Sequence, residues 1–204
     1  MKAYKGFNRN DNGTLSCRDF TYEVGKTYKY DGEIELCERG IHACHELHKC
    51  WLFYPNNGKN VFCEVDCGGE IIESKDSDGK LVCSEITILR KVDMSGVAAF
   101  DVAWYICEGY ARVCNGNKYN HISTDGKLLS DEWFDYMSRY CNGFFVVCVG
   151  PKYNYIDIDG KLLLDEWQHP VYIDKSFLVV CKDGKYNIII KWYGHFVSSE
   201  NSPT

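Results

Sequence analysis

Residues 118–133 read KYNHISTDGKLLSDEW, and residues 152–167 read KYNYIDIDGKLLLDEW. Only four of these 16 positions differ, at an offset of 34 residues. A third, degenerate copy starts at Lys185-Tyr186-Asn187, offset 33 from the second. Upstream, Gly143-Phe144-Phe145-Val146-Val147 matches Gly109-Tyr110-Ala111-Arg112-Val113 and Ser176-Phe177-Leu178-Val179-Val180. About three units of about 33 residues thus run from near 97 to 197, a period that signals a stacked or radial repeat.

Each unit has a β pattern. Phe-Phe-Val-Val-Cys is β-branched and aromatic, as strands prefer. A turn follows, then the alternating Lys-Tyr-Asn-Tyr-Ile-Asp. Asp125-Gly126 and Asp159-Gly160 supply hairpin turns, because both residue types tolerate positive φ. Lys-Leu-Leu-Leu is expected to be the return strand, and Trp133 and Trp167 to pack between units. Asp157-x-Asp159-Gly160 with Glu166 imitates part of a calcium loop, but Tyr155 and His121 stand where the first ligand belongs. The Asp131-Glu132 and Asp165-Glu166 pairs recur with the repeat and suit a solvated connection better than acid–base chemistry. This half resembles the WG-repeat family, through Lys118-Tyr119-Asn120, Lys152-Tyr153-Asn154, Lys185-Tyr186-Asn187 and the Asp-Gly-Lys turns. Asn stands where that family usually has Gly. The resemblance implies an interaction scaffold without a shared active site.

Working outward to the N-terminus, Lys2–Phe7, Gly25–Tyr30, Asn60–Asp66 and Leu81–Arg90 look like strands. In the last, Val82, Ile86 and Ile88 share one face with Ser84. A helix is expected over Cys44–Tyr54, ended by Pro55. The expected fold is therefore α+β and β-rich. A small α+β domain over 1–92 is followed by β-hairpin units over 97–197 and a frayed tail over 198–204. The stretch 95–108 suits either a helix or, by the repeat offset, a connection and a strand. The opening Lys2-Ala3-Tyr4-Lys5-Gly6-Phe7-Asn8, with Cys37-Glu38-x-Gly40-Ile41-His42-Ala43-Cys44, resembles an uncharacterised domain of bacterial and phage proteins. The resemblance implies no activity.

The chain has 12 cysteines, seven of them before residue 92. Cys37, His42, Cys44, His45, His48 and Cys50 fall close together, and zinc accepts such ligands. There is no C-x-x-C pair, so no cofactor is expected. The beginning MKAYKGFNRNDNG has no apolar run, and no stretch is long enough for a membrane helix. A cytoplasmic protein with free thiols is the expectation. The net charge of -6 argues against a general nucleic-acid binder.

The order Tyr4-Lys5-Gly6, Gly40-Ile41-His42-Ala43, helix to Tyr54, then Phe62-Cys63-Glu64-Val65 is similar to the strand–strand–helix–strand order of ADP-ribosyltransferases. The resemblance implies Lys5 at the ribose-holding position, His42 at the following Tyr position, Tyr54 as the stacking aromatic and Glu85 as the catalytic glutamate. Lys and His are not the residues that the superfamily uses there. A non-catalytic binding or interaction protein, taking a protein partner such as a host factor or a small nucleotide, is the first expectation. A domain acting on or binding NAD or a related nucleotide is the alternative.

Overall fold

The computed structural model describes residues 1–75, 79–107, 109–140, 143–167, 170–173, 177–182, 185–192 and 195–200. Among these are 17 strands and one four-residue helix. The fold is thus nearly all β, and the α+β expectation is overturned. The helix expected over Cys44–Tyr54 shrinks to α1, Leu47–Cys50. Its cap residue Glu46 makes no side-chain cap bond, and its first turn holds no acidic residue. So short a helix cannot offset its nucleation cost by itself. Cys44 is instead drawn into strand pairing, opposite Tyr4 on one side and Lys80 on the other.

The first sheet contains β1 (Lys2–Arg9), β2 (Leu15–Cys17), β3 (Phe20–Tyr22), β4 (Thr27–Lys29), β5 (Ile41–Cys44), β6 (Asn60–Glu73) and β7 (Lys80–Lys91). β1 pairs with β6 along its length, from Lys2↔Asp66 to Asn8↔Asn60. β6 pairs with β7, β7 with β5, and β5 returns to β1. Four strands therefore close a barrel-like ring, with β4 added on β7 and β2–β3 on the far end of β1. Closure needs a bend, and β6 supplies it with a bulge between Gly68 and Ile71. Gly69 takes φ +67 there, and a Cβ on it would collide with Ser84 Oγ.

Alternation sorts the side chains of β1 and β6 into two cores. Ala3, Phe7, Cys63, Val65 and Cys67 point into the ring with Leu81, Cys83, Ile86 and Ile88. Tyr4 and Phe62 point outward, into a cluster with Cys44, Cys50, Trp51, Phe100, Val113 and Ile122. Trp51 and Phe100 meet edge to face, with centroids 5.9 Å apart. The two halves of the chain thus share a core.

Beyond it come three small antiparallel sheets. The first holds β8 (Val102–Cys107), β9 (Tyr110–Asn115) and β10 (Lys118–Ser123). The second holds β11 (Tyr136–Met137), β12 (Phe144–Val149) and β13 (Lys152–Asp157). The third holds β14 (Pro170–Ile173), β15 (Phe177–Lys182), β16 (Lys185–Trp192) and β17 (His195–Glu200). In the 95–108 stretch the strand, β8, begins at Val102. The Lys-Leu-Leu-Leu segments are not strands; each makes one bridge, Ile122↔Leu128 or Ile156↔Leu162. In the two three-stranded sheets the third strand comes from before the repeated hairpin; in the last sheet β14 precedes it and β17 follows it.

Buried Asn120 and Asn154 explain the difference. Asn120 Nδ2 donates to the Ser130 and Glu132 carbonyls, and Asn154 Nδ2 to the Leu164 carbonyl. These bonds draw the chain after the turn away from a ladder. Trp133 packs with the shared core, whereas Trp167 packs with Phe134, Met137 and Phe145 of the second unit. At the other end of the repeats, β17 carries Ser198–Glu200 of the expected tail into pairing with β16. Residues 201–204 lie outside the described residues.

Candidate functional site

The outer edge of β1 is shared between two short neighbours. β5 pairs at Tyr4, and β2 pairs at Asn8 and Arg9. Between them, Lys5, Gly6 and Phe7 have no strand partner on that edge among the described pairings. The chain leaving α1 covers this gap. A Cβ on Gly6 would stand 2.5 Å from Tyr54 Cδ2, so the missing side chain is what lets the Tyr54 ring lie on β1. Beside this plug is a cavity of about 480 Å³, lined by Lys5, His42 and Tyr54.

Lys5 is 5% exposed. Its Nζ donates to the His42 carbonyl at 2.7 Å and lies 5.4 Å from the centre of the Phe7 ring. No ion pair to Lys5 occurs among the described residues. His42 Nε2 accepts the backbone N–H of Cys37 at 2.9 Å. Burial first, and then the charges of Lys5 and Arg18, push the His42 imidazole below its ordinary pKa. Tyr54 Oη donates to Cys17 Sγ at 3.1 Å, and burial followed by that bond raises its hydroxyl well above the usual phenol range. His42 and Tyr54 are therefore both neutral at pH 7, with hydrogen bonds already made. They are poorly placed for general acid–base work.

Glu85 is not brought to this cavity. It lies on β7 opposite Lys29, with the two side chains paired at 2.8 Å, and is absent from the cavity lining. The Cys/His cluster also disperses. His45 Nε2 faces Glu73 at 3.2 Å, and His48 Nε2 faces Glu46 at 3.1 Å. Among the described residues no group of three or more His, Cys, Asp or Glu could hold a metal ion.

The sequence reading missed the cavity's rim. Arg18, Arg39 and Lys80 join Lys5 on the lining, against the two carboxylates of Asp19 and Glu38. Arg39 is tied to Glu35 at 2.7 Å, whereas Arg18 Nη1 reaches only the Glu38 carbonyl, at 3.3 Å. Arg18 and Cys37 hold positive φ, 52° and 69°, without being glycine. Such conformations cost energy and concentrate at functional sites; no sequence pattern advertises them. Phe20 and Phe53 add exposed aromatic surface at the same place. Another recess, of about 620 Å³, lies between Asn12–Leu15 and Arg90. Its Arg90 is already held by both oxygens of Glu64, so it offers a ligand less.

The cavity thus combines basic side chains, two carboxylates and aromatic walls, a lining that suits a small polar ligand carrying a planar group. No helix among the described residues is long and apolar enough to cross a membrane. No curated protein and no solved structure matches the chain. Residues 1–99 match the family model of a domain of unknown function, DUF7666, and so fit an uncharacterised domain family.

Proposed function

We propose that this is a non-catalytic binding protein whose barrel-like first sheet takes a small nucleotide in the cavity at Lys5. The observation that carries the reading is the Lys5 ammonium, buried at the cavity wall without a carboxylate partner among the described residues. Burying a cation is costly unless it is compensated, and a phosphate of the ligand would compensate it. Tyr54 and Phe53 offer faces for a base. Neutral, engaged His42 and Tyr54 favour binding over turnover. An NAD-processing activity has less support, because Glu85 sits with Lys29 and outside the cavity.

The hairpin units, which resemble WG repeats, are proposed to offer surface to a protein partner, a host factor if the chain is phage-borne. In either setting the protein would act in the cytoplasm.

The test is thermal unfolding with NAD, ADP-ribose or a cyclic mononucleotide, for the wild type and Lys5→Met. A ligand present at about 100 times its Kd stabilises by about 2.7 kcal/mol. A clear shift in the wild type that is lost in Lys5→Met supports the reading. No shift with any of them near about 1 mM leaves no binding tighter than millimolar and rejects it.

A further inference from the structure

Two pairs of thiols lie near enough for one to raise the other's pKa: Cys44 of β5 acts on Cys50 of α1, and Cys83 of β7 acts on Cys67 of β6. All four are buried. The surroundings of the two pairs differ. Cys67 and Cys83 belong to the closed core of the ring, where Cys83 Sγ also donates to the Ile41 carbonyl at 3.3 Å. Cys44 and Cys50, 5% and 2% exposed, both line the cavity. They are the last residues of β5 and α1, so a short loop brings their sulfurs together over the gap in β1.

We propose that Cys44 and Cys50 form a thiol–disulfide exchange site, reached through the cavity and oxidised to an internal disulfide by a low-molecular-weight disulfide. Neighbouring sulfurs on the wall of one cavity meet the first requirement for a disulfide, which is proximity. The Cys50 thiol keeps its proton: its hydrogen bond to Cys44, and burial after that, hold its pKa far above the ordinary value. The charge of Lys5 acts in the opposite direction and favours thiolate nearby.

In the first step Cys44 gives its proton to solvent, and its thiolate attacks one sulfur of the small disulfide. The old S–S bond breaks, a mixed disulfide forms on Cys44, and one small thiolate leaves and takes up a proton. Cys50 then loses its proton and attacks the Cys44 sulfur. This expels the second small thiolate, which is protonated in turn. Two protein thiols are oxidised and one small disulfide is reduced to two thiols, so electrons and protons balance. Cys67 and Cys83 serve as the comparison pair, packed in the core of the ring rather than on the lining of this cavity.

The experiment treats the reduced, folded full chain with oxidised glutathione, quenches with acid, unfolds it, blocks free thiols with N-ethylmaleimide and maps the peptides. The expected result is a Cys44–Cys50 disulfide that dithiothreitol reverses, with Cys67 and Cys83 alkylated. The first pair should oxidise at least about tenfold faster than the second. In the Cys50→Ser protein, glutathione should stay on Cys44, because the resolving thiol is gone. Alkylation of both Cys44 and Cys50 in the wild type, or equal rates for the two pairs, overturns the proposal. So does a folded Cys50→Ser chain without glutathione on Cys44. If that variant does not fold, the wild-type map decides alone.

Discussion

The Lys5 ammonium donates to the backbone carbonyl of His42 at 2.7 Å, across the join between β1 and β5. An ammonium has three donors, so the bond leaves donor capacity inside the cavity. If that capacity serves a ligand rather than the fold, Lys5→Met should keep stability within about 1 kcal/mol of the wild type. Lys5→Ala should cost about 2 kcal/mol through lost packing of the stem. Urea unfolding of both variants checks this. A loss above about 3 kcal/mol in Lys5→Met would make the ammonium a structural group.

Gly6→Ala places a methyl against the Tyr54 ring, 2.5 Å from Cδ2 and 2.8 Å from Cβ. The ring must move off β1, at about 1–3 kcal/mol by the cost of overpacking. The same change breaks the Tyr54–Cys17 contact. Equilibrium unfolding, with tyrosine absorbance followed to high pH, reports both effects.

Asn154→Ala should lose about 2–3 kcal/mol. The side chain donates to the Leu164 carbonyl and accepts from the backbone N–H groups of Tyr155 and Leu164, all without exposure. Asn120→Ala should behave alike, since Asn120 makes the matching bonds to Ser130 and Glu132. A cost below about 0.5 kcal/mol in urea would show that the connection holds itself.

Buried His121 packs on Phe145 with ring centroids 4.3 Å apart, and burial, then Arg112, lowers its pKa to about 3. The unfolded chain titrates near the ordinary value of 6.5, so between pH 6.5 and about 3 it binds the proton that the folded chain refuses. Stability is therefore present above pH 6.5 and falls on acidification, by up to about 1.4 kcal/mol per pH unit from this group. His121→Phe should flatten that slope relative to the wild type. Parallel slopes in urea melts at pH 7, 5.5 and 4.5 would contradict the assignment.

Phe100→Ala removes a side chain that is 1% exposed and should cost about 3–5 kcal/mol. Because Phe100 packs with Trp51, the loss should appear in one transition common to tryptophan fluorescence and far-ultraviolet circular dichroism. Two separated transitions in the wild type would mean that the shared cluster does not couple the halves.

Local pattern carried much of the fold. Alternation located β1, β4, β6 and β7, and the 34-residue offset located the hairpins β9–β10 and β12–β13. The helix over Cys44–Tyr54 failed because its apolar residues answer to different neighbours: Cys44 to a ladder, Tyr54 to bare backbone at Gly6. The return strands failed because Asn120 and Asn154 capture backbone carbonyls, and a ladder forecast takes no account of side-chain acceptors. At the cavity, Lys5, His42 and Tyr54 could be named from the order of motifs. Glu85 could not be placed that way, because ring closure decides which face of β7 looks inward. The positive φ of Arg18 falls in the two-residue turn between Cys17 and Phe20, and that of Cys37 in the loop before β5, at residue types that do not advertise it.

Trp51 lies within the stretch that the family model matches, and the ring it leans on, Phe100, is the first residue beyond that stretch. The edge of the matched stretch thus runs through the middle of one packed cluster. A relative carrying only the matched segment would have to cap the outer face of β1 and α1 by another route. In this chain the downstream hairpins provide that cap, so exchanging them for other modules would alter the wall behind Cys50.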